Sequence, residues 1–350
     1  MNTTKEEMEF DYQTYMKDYV PDPDKIHWGL EARQKRREAA IHNNRGLTYE
    51  EKGDSDRAVE ALTKAIELNP HYAYAYNNRG VAYRNKGDYD RAIEDLDKAI
   101  DLKPHYANAY FNRGNVYRKR DDFDRAIADY TKAIEFKPNN AIAHYYRGLV
   151  YMVKSEIGRA IEDFTKAIDL KPDYTEPYRH RGLAYVIKAD FDHAIEDLGK
   201  VIDLKPDFAG AWFHRGMTYY WKGEMERAIA DYTKAIELQS NFAEVYCSRG
   251  EAWLQLREWE KAKLDLTSAR DMGVDIITSF HNDYEGVADF ERGNEVKIPA
   301  DLAEMLTPQG GTIGEKAEQE ATHESASDFE IVLDEIVRKY NRAWKTLAKP

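Results

Sequence analysis

The sequence predicts an all-α protein in which pairs of helices stack into an α-solenoid. Arg-Gly returns every 34 residues without an insertion, a large aromatic residue follows each glycine three positions later, and alanine follows it twelve positions later. Such a period indicates a repeat architecture, and because one helix pair cannot bury its apolar stripe alone, neighbouring pairs must stack. The recurring arginines are Arg45, Arg79, Arg113, Arg147, Arg181, Arg215 and Arg249.

Each repeat contains two helical stretches, as in YAYAYNNRGVAYRNKG followed by DYDRAIEDLDKAIDLKP. Acidic residues such as Asp88 and Asp90 open the second stretch, where the helix dipole favours negative charge. Proline ends that stretch in five repeats, because proline cannot continue a helix. These prolines are Pro70, Pro104, Pro138, Pro172 and Pro206.

These residues resemble the tetratricopeptide repeat, whose pattern of aromatic, leucine-glycine, tyrosine, alanine, alanine and proline has this length. The resemblance frames seven repeats of 34 residues over 39–276. It implies a right-handed superhelix of helix–turn–helix units with a concave face that recognises a partner. Because the ends of a solenoid need polar caps, we expect an N-terminal helical extension over 1–38 and a C-terminal helical cap over 277–307.

Two further segments follow the predicted cap. Residues 308–327 are polar and low in aromatics, which predicts a disordered linker. Residues 328–350 form a predicted amphipathic helix that starts at a capping box made by Ser327 and Glu330. Its apolar stripe must pack on this chain, on another copy or on a partner. One hypothesis is a tethered groove ligand, autoinhibitory or exchanged between copies, and the other is packing on the cap or the back of the solenoid.

The arginine of each Arg-Gly pair departs from the family pattern, which has leucine there. Sixteen residues later, where the family has an aromatic, six repeats have aspartate and the first has Ala61. Because the two departures recur together, we predict a ladder of Arg–carboxylate pairs that joins helices. The alternative is a row of arginines that faces the groove for an anionic ligand. If the pairs form within a repeat, Arg45 lacks a partner, and if they reach the preceding repeat, Arg79 does.

The resemblance also implies which residues line the concave groove, because the first helix of each family repeat does so. In the second and third repeats the carried-over positions are polar, which suits a peptide backbone and an acidic group: Asn77, Asn78, Arg84, Asn112, Asn115, Arg118 and Lys119. In the fourth to sixth repeats they are mostly apolar: Tyr145, Leu149, Met152, Arg179, Val186, Ile187, Phe213, Met217, Tyr220 and Trp221. Such an apolar patch indicates a binding site, although some members could belong to the core between repeats.

Composition excludes several classes of protein. The formal net charge is −13, whereas sequence-independent nucleic-acid binding needs basic surface, so an RNA-binding helical repeat is disfavoured. No apolar run approaches the ~20 residues of a membrane span, and the N-terminus does not resemble a signal peptide. Cys247 is the single cysteine, which fits a reducing compartment. We expect a cytoplasmic protein that does not contact membranes.

No catalytic constellation is present in the sequence. There is no Walker loop, nucleophile elbow or HExxH motif. His180, His214 and Cys247 form a row along the repeats and do not converge, so we expect no metal and no cofactor. The predicted function is a non-catalytic protein–protein interaction scaffold or adaptor that binds a peptide or partner helix in the groove. The alternative is a regulatory subunit or sensor of an enzyme complex.

Overall fold

The computed structural model describes residues 23–308, and every regular element in that range is an α-helix. The predicted fold class, an all-α solenoid of helix–turn–helix repeats, is confirmed. The chain divides into two compact units, Met1–Phe136 (unit 1) and Lys137–Pro350 (unit 2). Most of the predicted linker, the whole predicted amphipathic helix over 328–350 and the first 22 residues lie outside the described residues.

Unit 1 contains three helix pairs in its described part. The bounds are α1 Pro23–Glu51 with α2 Ser55–Leu68, α3 Ala73–Asn85 with α4 Tyr89–Leu102, and α5 Ala107–Lys119 with α6 Phe123–Phe136. Helix α1 is the longest because it includes the basic run EARQKRREAA ahead of the first Arg-Gly pair. The side chains from Leu30 to Arg37 along this run are exposed.

Unit 2 contains four helix pairs followed by three short helices. The pairs are α7 Ala141–Val153 with α8 Ile157–Leu170, α9 Thr175–Ile187 with α10 Phe191–Leu204, α11 Ala209–Lys222 with α12 Met225–Leu238, and α13 Ala243–Gln255 with α14 Trp259–Asp271. The short helices are α15 Ile276–Asp283, α16 Val287–Gly293 and α17 Ala300–Met305. Their buried side chains Phe280, Phe290 and Leu302 pack in one core with Leu254 of α13 and Leu266 of α14.

The helix boundaries follow from local chemistry. The Asp54 carboxylate accepts a hydrogen bond from the backbone N–H of Arg57 at 3.1 Å, and Asp88 accepts one from Arg91 at 3.2 Å. Each bond satisfies an amide that the helix itself leaves unpaired, so the predicted acidic helix starts are confirmed. Helix α2 ends at Leu68, two residues before Pro70, and the other proline-terminated helices end in the same way.

The turn inside each pair uses a left-handed residue at one fixed position. Gly53, Gly87 and Gly223 occupy it with φ between 75° and 85°. Other pairs place non-glycine residues there, among them Ala189 at φ 55°. Because the same backbone path closes these pairs, the turn keeps their geometry similar while its sequence varies.

The glycine of each Arg-Gly pair lies where two helices touch. A Cβ atom on Gly148 of α7 would be 2.7 Å from Phe164 Cε1 and 3.3 Å from the Ala160 carbonyl of α8. The alanine twelve residues after the glycine is fully buried in every pair, as Ala160 is here. Small residues therefore set the close approach of the helices, as the sequence predicts, and this fixes the side-chain directions on the first helix of each pair.

Candidate protein-interaction surface

Each arginine of the Arg-Gly pairs, except Arg45, binds an aspartate sixteen residues later in its own helix pair. Arg181 donates from Nε to Asp197 Oδ2 at 2.8 Å and from Nη2 to Asp197 Oδ1 at 2.7 Å. The predicted ladder is confirmed, and the pairs form within a repeat. They are Arg79–Asp95, Arg113–Asp129, Arg147–Asp163, Arg181–Asp197, Arg215–Asp231 and Arg249–Asp265.

The third guanidinium nitrogen connects neighbouring pairs of helices. Arg79 Nη1 donates to Thr63 Oγ1 at 3.0 Å, and Arg181 Nη1 donates to Thr165 Oγ1 at 2.9 Å. Each of these threonines belongs to the second helix of the preceding pair. Each of these arginines therefore links the two helices of its own pair and also binds the helix pair before it. These threonines are not predictable from a fixed spacing, because the position sixteen residues before the arginine is threonine in some repeats and aspartate or glycine in others.

The exception in the first pair has the predicted consequence. Ala61 replaces the aspartate there, and Arg45 is exposed. Elsewhere the arginine side chains are only 17–20% exposed and the aspartates 4–8%. Hydrogen bonds from Arg215 to Asp231 raise the pKa of the Arg215 guanidinium. The alternative interpretation, a row of arginines facing a ligand, is wrong for the six paired arginines because their donors are used inside the protein.

The first helices of unit 1 carry the predicted polar face, and its asparagines bind one another. Asn78 Nδ2 donates to Asn43 Oδ1 at 2.9 Å, and Asn112 Nδ2 donates to Asn77 Oδ1 at 2.9 Å. These bonds run from one helix pair to the next. Asn77 is buried, as is Asn115, whose amide oxygen accepts from Tyr130 OH at 2.8 Å. The amides therefore form an internal ladder along this face, where the sequence predicts surface groups.

The cationic residues of the polar face lie nearer to solvent. Arg84 and Arg118 are half-buried and Lys119 is exposed. Arg84 donates from Nη2 to Asn85 Oδ1 at 3.0 Å, and Asn85 Nδ2 donates to Glu50 Oε2 at 2.5 Å. Arg84, Arg118 and Lys119 thus place positive charge at the C-terminal ends of α3 and α5. Beside Arg84, the Asn85 amide already has a partner in Glu50.

The predicted apolar patch of unit 2 is only partly at the surface. Tyr145, Leu149, Met152, Val186 and Ile187 on α7 and α9 are 0–5% exposed, so the expectation that they form an open patch is corrected. Apolar side chains become buried wherever packing permits. The groove positions carried over from the family do not predict how deeply each side chain is buried. The Tyr145 ring, for example, lies 5.2–6.0 Å from the rings of four aromatic neighbours: Tyr146, Phe164, Tyr174 and His180.

Helix α11 differs from α7 and α9. Phe213, Met217, Tyr220 and Trp221 are all half-buried and follow i, i+4, i+7 and i+8 spacing along one side of the helix. We call these four residues the α11 stripe. The Phe213 ring lies 5.1 Å from that of Phe242, which holds the start of the stripe in place. Large apolar side chains that remain partly accessible are typical of the centre of an interface.

Charged residues flank the α11 stripe on both neighbouring helices. On α9, Arg179 is half-buried and its Nη2 lies 3.2 Å from His180 Nε2. On α13, Glu244 and Glu251 are half-buried, and Glu251 Oε1 accepts a hydrogen bond from Ser279 Oγ at 2.8 Å. The α9 side therefore carries Arg179 together with Glu176, which pairs with Lys205 at 3.0 Å, and the α13 side carries two acidic residues.

A cavity of about 390 Å³ adjoins Arg179 between α9 and the start of α11. Its walls include Glu176, Lys205 and Phe208, and the Phe208 side chain is 41% exposed. The sequence analysis did not select Phe208. Its signal is an aromatic residue immediately before the first helix of a pair, as at Tyr174 and Phe242 in this unit.

The described residues contain neither a membrane-spanning helix nor a cluster of metal ligands. Between residues 23 and 308, no helix is long and apolar enough to cross a membrane. Over the same range, no three histidine, cysteine or acidic side chains come together as metal ligands.

Comparison with family models identifies the repeats. Models of the tetratricopeptide repeat match residues 43–107, 96–128, 114–155, 141–174, 176–208 and 209–242, which together cover more than half of the chain. The chain belongs to the tetratricopeptide repeat family. The pair α13–α14 lies beyond these matches but has the same Arg249–Asp265 fork. No curated protein matches the sequence.

Two solved structures share this fold, and a third is similar over about half of this chain. The chain is similar to the C-terminal part of a repeat protein from Cytophaga hutchinsonii, with 18% identity, 66% of this chain and 95% of that chain covered, and a TM-score of 0.57. It is also similar to a tetratricopeptide repeat protein from Parabacteroides merdae, with 23% identity, 68% and 94% covered, and a TM-score of 0.51. The third is YrrB, described as a protein with an unusual peptide-binding site, with 28% identity, 55% and 98% covered, and a TM-score of 0.49.

Proposed function

We propose that this protein is a non-catalytic interaction scaffold that binds a peptide or a partner helix on the first-helix faces of its repeats. Membership of the tetratricopeptide repeat family supports the general role of a protein-interaction scaffold. The observation that carries the choice of surface is the α11 stripe. Its four side chains are large, apolar and only half-buried.

The α11 stripe favours an amphipathic helix as the ligand of unit 2. An amphipathic helix places apolar side chains on one side at three- and four-residue spacing, and such a side packs well against a partner surface of the same kind. The flexible methionine side chain of Met217 adapts to different ligand shapes, and the rigid aromatic rings supply contact area. The stripe residues Phe213, Met217 and Tyr220 pack from behind against a core that includes Tyr232 and Val245, and we assign the buried residues Tyr145, Leu149, Met152 and Ile187 a structural role. Arg179 contributes a charge on the neighbouring helix α9.

The polar face of unit 1 favours a polar part of the ligand. The amides of Asn78 and Asn112 remain half-buried, and Arg84, Arg118 and Lys119 supply positive charge. A short acidic segment or the backbone of an extended peptide fits these groups. Asn77 and Asn115 are buried and hold the ladder in register, so we assign them a supporting role.

The same binding surfaces would serve a regulatory subunit or sensor of an enzyme complex, which remains the alternative. An RNA-binding role is disfavoured because the net charge is −13 and the α11 stripe is apolar. We propose the cytoplasm as the location, because a chain with one cysteine forms no intrachain disulfide and fits a reducing compartment.

Selection from a displayed peptide library tests this function. We expect enriched peptides to carry apolar residues at helical spacing and to bind the wild-type protein. Replacement of Trp221 or Met217 by alanine should weaken binding at least about tenfold, as for a residue at an interface centre. The matched control is Leu264→Ala, because Leu264 is apolar and 68% exposed but lies on the second helix α14. Equal losses in the control and the stripe variants would contradict the proposed surface.

A further inference from the structure

The α11 stripe has a candidate ligand within the same chain. We propose that residues 328–350 bind the α11 stripe when no partner is present and compete there with the partner. This inference rests on the proposed function, because it takes the same surface as the binding site. It adds the identity of the resident ligand and a means of regulation. The segment lies outside the described residues, and its sequence and the accessible stripe on α11 point to this pairing.

The spacing of the segment matches the kind of ligand that the stripe favours. Apolar residues recur along 328–350 at three- and four-residue intervals, so a helix would gather them on one side. These residues are Phe329, Leu333, Ile336, Tyr340, Trp344 and Leu347. Left in water, that side would be a large exposed apolar patch, and burying it against Phe213, Met217 and Trp221 is favourable.

The charges of the segment are divided in a way that fits the flanks of the stripe. Its first half is acidic, with Asp334 and Glu335, and its second half is basic, with five cations: Arg338, Lys339, Arg342, Lys345 and Lys349. Arg179 lies on the α9 side of the stripe, and Glu244 and Glu251 lie on the α13 side. A helix that crosses α11 from α9 towards α13 therefore meets opposite charge at both ends, which selects this direction over the reverse.

The described chain ends beside α13, the helix that follows α11 in the row of first helices. Helix α17 packs through Leu302 in one core with Leu254 of α13, and α13 contacts α11. The 19 residues from 309 to 327 would span roughly 24 Å as a flexible coil. A tether of this kind gives an effective concentration on the order of 1 mM. Even a tail that binds with a Kd of about 10 μM would then weaken a competing ligand about 100-fold.

We place the tail on α11 and not on the neighbouring helix α9. The neighbouring side chains Leu183, Val186 and Ile187 on α9 are already 1–5% exposed. Their equivalents on α3 in unit 1, which include Val81 and Arg84, are half-buried or exposed. Among the apolar residues predicted for the patch over the fourth to sixth repeats, those that remain accessible to a tail helix are therefore the α11 stripe.

Fluorescence anisotropy with a labelled synthetic 328–350 peptide tests the proposal on full-length protein. Ile336→Asp together with Tyr340→Asp in the chain should release the tail, because each places a charge on its apolar side. We expect this variant to bind the peptide at least about tenfold more tightly than the wild type does, by removal of the internal competitor. Adding Trp221→Ala, or Met217→Ala as a second variant, should abolish that binding, and adding Leu264→Ala should leave it unchanged.

Three results would overturn the proposal. The first is equal affinity of the peptide for the wild type and the released variant. The second is binding that neither stripe substitution affects. The third is a dimer, detected by light scattering, that dissociates when the tail is substituted, because the segment would then act between copies. If library-selected ligands still bind through the stripe in these cases, only the resident ligand is wrong and the proposed function stands.

Discussion

At the residue scale, the paired arginines and aspartates convert an apolar helix contact into a directional one. Each fork makes two short hydrogen bonds within its helix pair, and at Arg79, Arg181 and Arg249 a third bond reaches a threonine of the preceding pair. Arg215 faces Gly199 at that position, so its third nitrogen meets no such hydroxyl. Directional pairing of this kind fixes the register between neighbouring repeats.

Removing one partner of a fork should destabilise unit 2 strongly. Asp197→Ala leaves the Arg181 guanidinium, only 17% exposed, without its carboxylate. The expected loss is about 3–5 kcal/mol in the free energy of unfolding, measured by urea denaturation followed by circular dichroism. Arg45→Leu is the matched control, because Arg45 is exposed and its repeat has Ala61, and it should change stability by less than about 0.5 kcal/mol.

A double substitution separates pairing from packing. Arg181→Leu with Asp197→Phe restores the residue types typical of the family, and it should recover most of the stability lost in Asp197→Ala, since apolar replacements of buried ion pairs are often neutral or stabilising. A double variant as unstable as Asp197→Ala would contradict our account of the fork as an exchange for an apolar contact.

The Arg–Asp forks were predictable from the sequence. Arginine and aspartate depart from the family pattern together, which predicts the pairs. The sequence leaves open whether a pair forms within a repeat or reaches the preceding one, and the fork between Arg79 and Asp95 shows that it forms within one repeat. The third bond was not predictable from a fixed spacing, because the position sixteen residues before the arginine varies among Thr63, Asp97 and Gly199. Whether such a side chain reaches the guanidinium depends on the distance between helices, which the sequence does not contain.

At the element scale, glycine sets how closely the two helices of a pair approach. Gly148→Ala should destabilise the α7–α8 pair by about 1–3 kcal/mol, because the new Cβ would lie 2.7 Å from the Phe164 ring and 3.3 Å from a backbone carbonyl. Thermal unfolding followed by circular dichroism provides the measurement.

Gly158→Ala is the control in the same helix pair. Gly158 lies in the first turn of α8, is exposed and has no atom within 4 Å of an added Cβ, so alanine should stabilise by about 0.5–1 kcal/mol through its helix propensity. If both substitutions lowered the midpoint equally, close helix contact would not be the reason for the Arg-Gly glycine.

The sequence predicted which helices carry the surface, but it did not predict how deeply their side chains are buried. The repeat pattern assigns Val81 and Leu183 to the same position of a first helix, yet Val81 is half-buried and Leu183 is 2% exposed. Accessibility depends on the size of every neighbouring side chain. For this reason the predicted apolar patch over the fourth to sixth repeats reduces, at the surface, to the α11 stripe.

At the scale of the whole molecule, charge separates a protein ligand from a nucleic acid. With a net charge of −13, the protein should show no binding of a 20-nucleotide RNA by fluorescence anisotropy at 150 mM salt. Lowering the salt should not produce binding, since the polar face carries only a few cations. Affinity that rises steeply as salt is lowered would favour the RNA-binding alternative.

The central claim is that the first-helix face of unit 2 binds a protein ligand through the α11 stripe. Hydrogen–deuterium exchange of the full-length chain, with and without a library-selected peptide, tests it most directly because it reports on every helix at once. We predict slower exchange in α11 and in the adjoining ends of α9 and α13, with no change in α12 and α14. Protection confined to the second helices, or to the short helices α15–α17, would contradict the claim.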